Sequence, residues 1–290
     1  MYKLYDAQIT RVRELLRGLP VRSYAYDEAK AWPENDDFVM IFQRDAAYEL
    51  GGKGVSANLT CVTEDESLFD GELASAGDIA ARDQIFVYGP DLQEIQGDVS
   101  YARICEVLVR GEEEKGTEGT KEAGSADMAG AAEESALEEA ASQRMLKLLQ
   151  DVDFVKFHIY GKGVMMRTSG QSAKEQVRIA REALQGGITF ERMGDLFISH
   201  YKKNPRVLAV HVSFITAKQF DYERLAEEGS TATQIRNSLS MIQKGLPTEC
   251  ESCSIQEICA KVEGLRELHF GKKKADAAKA KAKGINRVRL

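Results

Sequence analysis

Long apolar runs are missing from this sequence. No stretch reaches the roughly 18 consecutive apolar residues of a membrane-spanning helix, so no membrane span is expected. The opening residues, MYKLYDAQITRVRELL, mix acids and bases on an amphipathic helix and lack the apolar h-region of a signal peptide, so a cytoplasmic location is expected. Cysteine is scarce and odd in number, five in 290 residues, which argues against a disulfide framework and for reduced thiols. The glycines of Gly51-Gly-Lys-Gly54 lack a Walker spacing and read as a hairpin turn rather than a phosphate cradle. No Ser-His-Asp pattern and no internal repeat stands out. A net charge of −7 excludes the chain as a whole from polyanion binding.

What is present is an ordinary globular composition, 43% hydrophobic and 29% charged, with length enough for two cores. Residues 1–110 read as an α/β-layered block. Ile9, Val12, Leu15 and Leu16 have helical spacing, and Gly18 with Pro20 ends that helix. Phe38–Phe42, Val55–Val62 and Ile85–Tyr88 read as strands, the last stopped by Gly89-Pro90-Asp91. Tyr101–Val109 reads as helical, with Ile104, Cys105 and Leu108 on one face. Residues 111–134 are acidic, small and nearly free of bulky apolar side chains, the composition of a flexible linker that turns helical near Ser135.

A second α/β block is expected over 135–246. Leu137, Met145, Leu148 and Leu149 predict a helix leading to a strand at Phe154–Ile159. Gly161 and Gly163 mark a turn before Val164–Met166. Ser172 is expected to cap a helix through Leu184 that Gly186-Gly187 stops. A helix through Phe197, the strand Val207–Ile215 and a helix over Thr231–Met241 follow. The fold class expected is α+β: two α/β-layered domains joined by the acidic linker. A Cys-rich segment over 247–271 and a basic tail over 272–290 complete the chain. The tail carries Lys272, Lys273, Lys274, Lys279, Lys281, Lys283, Arg287 and Arg289 against one acid, Asp276. It reads as a solvated end, or as a docking arm for an acidic partner.

Three of the five cysteines fall within ten residues. Cys250, Cys253 and Cys259, followed by His269, have the spacing C-x2-C-x5-C-x9-H. Two thiolates two residues apart grip one metal centre from a single turn, and a third closes another face. Glu249, Glu251 and Glu257 make the loop too polar for a purely apolar role. Two metal readings fit. A Cys3His set is a structural zinc site, and cysteine thiolates are the ordinary ligands of iron–sulfur clusters, with His replacing Cys at some of them. Spacing alone does not choose. Cys61 and Cys105 read as small buried hydrophobes, His158 and His211 as core or edge residues of strands, and Trp32 as a packing anchor. Asp36-Asp37 reads as a loop charge pair.

Three stretches resemble the β (acetyl-CoA synthase) subunit of the carbon monoxide dehydrogenase/acetyl-CoA synthase complex. They are Glu49-Leu-Gly-Gly52 with Ile85-Phe-Val-Tyr-Gly-Pro-Asp-Leu-Gln-Glu-Ile95, then Val164-Met-Met-Arg167 with Ile188–Thr216, and then the cysteines. The similarity is scattered over most of 45–110 and 140–270. It implies a 4Fe-4S cluster on Cys250, Cys253 and Cys259, with His269 at the spacing of a fourth cysteine. No cysteine follows Cys259, so the family's C-G-C segment for a distal nickel has no counterpart here and nickel is not expected. The resemblance implies an acetyl-CoA-synthase-like iron–sulfur protein of anaerobic one-carbon metabolism, with carbon monoxide dehydrogenase, corrinoid or ferredoxin-type partners. The alternatives are a structural zinc site on an interaction or regulatory module, and an active acetyl transferase that completes its metal site differently.

Overall fold

A computed structural model describes residues 3–28, 38–42, 58–70, 82–91, 94, 101–111, 129–155, 159–160, 164–168, 175–180, 189–245 and 250–269. The glycines at 51–54, Trp32, Asp36-Asp37, His158, most of the acidic linker and the basic tail lie outside them. Six helices are described, α1 (Asp6–Leu16), α2 (Glu66–Asp70), α3 (Ala129–Val155), α4 (Phe190–Tyr201), α5 (Tyr222–Gln243) and α6 (Gln256–Lys261). The strands are β1 (Val21–Ala25), β2 (Phe38–Phe42), β3 (Asn58–Thr63), β4 (Gln84–Tyr88), β5 (Ala102–Val109), β6 (Ile159–Tyr160), β7 (Val164–Thr168), β8 (Glu175–Ala180) and β9 (Val207–Ile215). A five-stranded sheet has the order β1-β4-β9-β5-β3, and a four-stranded sheet has the order β2-β8-β7-β6. The first is mixed: β4/β9 and β5/β3 are parallel, β1/β4 and β9/β5 antiparallel. The second is antiparallel throughout. Helices with a mixed sheet make this an α+β protein.

The expected division at the acidic linker does not separate two sheets. β9, from the second block, lies between β4 and β5 of the first, and β8 pairs with β2 across the same divide. The reason is in β9 itself. Its sequence, VLAVHVSFI, is apolar on both faces, and all but Leu208 of its nine residues are buried. Such a strand needs a neighbour on each edge and cover on each face.

Three further expectations change. Tyr101–Val109 is not a helix; Ala102–Val109 is a strand buried at every position. It sits between β9 and β3, covered on both faces, so no period-2 alternation marks it. Arg103 and Glu106 interrupt its apolar run and are buried all the same, at 2% and 7% exposure. Phe154–Ile159 is not one strand, because α3 continues through Val155; among the described residues the strand β6 is Ile159–Tyr160. The expected helix after Ser172 is replaced at its centre by β8, which is hydrogen-bonded to β2 on one edge and β7 on the other.

One face of the large sheet carries α4. Its first turn is capped twice: the Thr189 side chain accepts from the Arg192 amide, and the buried Asp91 carboxylate accepts from the Phe190 amide at 3.0 Å. Gly194 lets α4 approach Ile85, where an added Cβ would fall 2.5 Å from the Ile85 side chain. Arg103 lies 4.0 Å over the Phe197 ring, a cation–π contact inside the core. Gly89 sits at φ 109°, with backbone of Ala217 2.7 Å from where a Cβ would stand, so the turn before Asp91 requires glycine.

The opposite face carries a charged row. Strand register sets Glu106 beside His211. Arg13 of α1 bonds the Glu106 carboxylate at 2.6 Å and also donates to the Leu68 and Phe69 carbonyls at the end of α2. The His211 ring stacks on Phe69 at 4.0 Å and meets the edge of Phe86. Burial, then the Arg13 charge, push the His211 pKa down from 6.5 to about 3, so the ring is neutral near pH 7. Its 3.9 Å approach to Glu106 is therefore not an ion pair.

This shift predicts a pH dependence. Between about 6.5 and about 3 the unfolded chain binds a proton at His211 that the folded chain refuses. Stability falls with pH through that window, by up to about 1.4 kcal/mol per unit from this residue. The urea midpoint of the wild type will drop more steeply below pH 6.5 than that of His211→Gln; parallel curves would contradict the assignment.

Candidate metal centre

The segment that carries the cysteines is anchored from its apolar side. Ile255, Ile258, Val262, Leu265 and Leu268 recur at helical spacing and are buried in the main core. α6 packs on α5. Glu251 and Glu257 are exposed on the other side, as their charge requires. The three cysteines are half-buried and not joined in disulfides.

Cys250 opens a 3-10 turn, Cys250–Ser252, that the Cys253 amide closes on the Cys250 carbonyl at 3.3 Å. An i to i+3 turn places those two side chains nearly one above the other. Cys259 is held in α6 by its amide bond to the Ile255 carbonyl at 3.0 Å. After α6, Gly264 takes φ 84° and separates it from a second helical turn over 265–269. Arg266 lies on that turn and donates from Nη2 to the Cys250 sulfur at 3.4 Å.

Cys259 senses the other two thiols. Burial first, then the neighbouring Cys253, push the Cys259 thiol up from about 9 to about 11. Cys250 and Glu267 add to the rise, and Arg266 works against it. Ionising all three sulfurs together therefore calls for added positive charge, which a bound metal supplies. Soft thiolates select zinc, copper(I) or iron–sulfur centres over magnesium or calcium. Among the described residues no three His, Cys, Asp or Glu side chains already stand as an assembled ligand set. The donors fit a thiolate-bound centre in kind, soft sulfurs within ten residues of one segment.

His269 lies three residues beyond Arg266, on the same side of the 265–269 turn by helical geometry. It thus shares the face from which Arg266 reaches Cys250. Nothing in the cysteine spacing points to Arg266. The only signal is a cation flanked by Glu263 and Glu267, in a segment whose one other cation is Lys261. Cys61 and Cys105 are 1% exposed in β3 and β5, outside this segment and inside the core, as small apolar residues are. His211 is likewise a core residue.

Two of the stretches that carry the family resemblance lie side by side. β4 runs parallel to β9, and the Thr216 hydroxyl donates to the Pro90 carbonyl at 2.7 Å. In this structure Gly89, Pro90 and Asp91 shape a turn and cap α4, which is a folding role. No protein-family model matches the chain, and no curated protein matches it significantly. No described helix is long and apolar enough to cross a membrane.

The raised Cys259 pKa gives a direct check. In the metal-free folded protein, alkylation of Cys259 by iodoacetamide will reach half its limiting rate near pH 11, and near pH 9 after denaturation. The same midpoint in both states would show that the thiol is neither buried nor crowded.

Proposed function

We propose that Cys250, Cys253 and Cys259 hold a 4Fe-4S cluster, with His269 as the fourth protein ligand. The observation that carries this reading is the grouping of three half-buried thiols free of disulfides, Cys259 shifted by the other two, with the Arg266 guanidinium on the Cys250 sulfur. A cation that donates to a sulfur and not to a carboxylate suits a centre whose thiolates bring excess negative charge. The choice of iron–sulfur rests on the resemblance to the acetyl-CoA synthase subunit, whose cysteine order these residues follow. On that reading the protein is an accessory of anaerobic carbon monoxide and acetyl-CoA metabolism. Its partners are carbon monoxide dehydrogenase and a corrinoid or ferredoxin-type protein, and it has no distal nickel site.

When bound, the cluster supplies a one-electron redox couple. The chain's own residues do the rest. Cys250 and Cys253 grip from one turn, Cys259 grips from α6, and the buried Ile255, Ile258 and Leu265 fix both elements to the core. Arg266 offsets charge at Cys250 and raises the reduction potential. The position of His269 on the Arg266 face also favours a second reading, a Cys3His zinc site on an interaction module.

Anaerobic purification followed by metal and sulfide analysis separates the two. About four iron and four sulfide per chain with broad visible absorption is expected; a colourless protein with a single zinc would establish the second reading. Serine at Cys250, Cys253 or Cys259 will each abolish the absorption, and Arg266→Gln will keep it while lowering the reduction potential. Full metal content in His269→Ala would remove His269 from the ligand set.

A further inference from the structure

A second region carries chemistry unconnected with the cysteines. A cavity of about 570 Å³ opens between α3 and the end of α4 with the turn that follows it. That volume is within the ~300–1,000 Å³ range of small-molecule sites. One wall is a single face of α3, with Arg144, Lys147, Leu148, Asp151, Val152 and Val155 at helical spacing. The other wall is His200, Tyr201 and the turn of Lys203, Asn204, Pro205 and Arg206.

Two layers make up this lining. The half-buried Val155 and the exposed Pro205 give an aliphatic floor, backed from the core by Leu148 and Val152 at 3% and 1% exposure. Around it stand four cationic side chains, Arg144, Lys147, Lys203 and Arg206, against the single carboxylate of Asp151. This local excess of positive charge belongs to a chain whose net charge is −7. The simplest role for cations after α4 is to complement its C-terminal dipole. Lys202 already stands there, bound to Asp83 at 3.1 Å and to the Leu208 carbonyl at 2.9 Å. Arg206 donates to the Arg110 carbonyl at 3.0 Å, which fixes the turn in place. Among the described residues Lys147 and Lys203 have no ion-pair partner, one on each wall.

We infer that this cavity is a binding site for a small phosphorylated ligand with a short aliphatic body. Cations from two walls suit a head group with two or more negative charges, which phosphate and diphosphate esters carry and a carboxylate does not. The Tyr201 ring is 1% exposed and offers no face to a nucleobase. An alkyl chain covers the half-buried Val155 and the exposed Pro205 instead, with Leu148 and Val152 packed behind them. The site depends on neither the cysteines nor their metal.

Calorimetric titration of the full chain at low ionic strength tests this with three probes: isopentenyl diphosphate, inorganic pyrophosphate and ADP. Isopentenyl diphosphate should bind, pyrophosphate more weakly because it lacks the aliphatic part, and ADP no better than pyrophosphate. Lys147→Gln and Lys203→Gln leave the core untouched and should each weaken isopentenyl diphosphate by about tenfold or more, the loss expected for one charge-assisted contact. Val155→Thr, close in shape, should preserve pyrophosphate binding while weakening that of the alkyl ester. No binding of isopentenyl diphosphate, or binding that both lysine variants leave unchanged in a protein of unaltered thermal midpoint, would overturn the assignment. ADP binding as tightly as isopentenyl diphosphate would overturn its aliphatic part.

Discussion

The hydrogen bonding of β9 is the constraint on which the large sheet depends. Val207–Ile215 is paired on both edges, to β4 in parallel and to β5 antiparallel. Without it the remaining strands would form two pairs, β1 with β4 and β5 with β3, and a two-stranded ribbon is marginal in water. β9 also organises the layers. Phe214 on one face meets Phe190 and Phe197 of α4, and His211 on the other meets Phe69 of α2. The halves of the chain on either side of the acidic stretch thus share one core.

Burial on both faces brings charged groups inside, and each is met by a specific partner. Arg103 faces an aromatic ring, and Glu106 faces Arg13. Removing one member of such a buried pair costs about 3–5 kcal/mol, far more than a surface ion pair contributes. Arg13 is the connecting residue, because the same guanidinium also holds the carbonyls of Leu68 and Phe69. α1, α2 and β5 are tied together through it. A second tie between helices, Arg11 to Glu228 at 2.7 Å, joins α1 to α5, the helix on which the cysteine segment packs.

The elements legible in the sequence are those with one dominant pattern. The apolar run of β9, the helical spacing of Ile9, Val12 and Leu16, and the strand stopped by Gly89-Pro90 were all readable. β5 was not, because Arg103 and Glu106 broke its apolar run and left Ile104, Cys105 and Leu108 at helical spacing. Their partners, Phe197 and Arg13, are 94 and 93 residues away. β8 was hidden because a helix was expected across Glu175–Ala180, which pairs with β2 and β7 instead. The interleaving of the two halves was invisible for the same reason: local periodicity carries no information about which strands pair. At the cysteine segment the spacing showed the candidate ligands, while the Arg266 contact with Cys250 depends on the turn at Gly264 and had no sequence signature.

The cysteine segment unites a buried aliphatic anchor, three thiols free of disulfides and one guanidinium. Its proposed role is to hold iron and sulfide. Metal K-edge X-ray absorption on protein purified without air examines this most directly. It should show iron with a sulfur first shell and iron neighbours beyond it, and the iron-neighbour signal should vanish in Cys253→Ser. A spectrum from zinc alone, or iron with only oxygen neighbours, would contradict it.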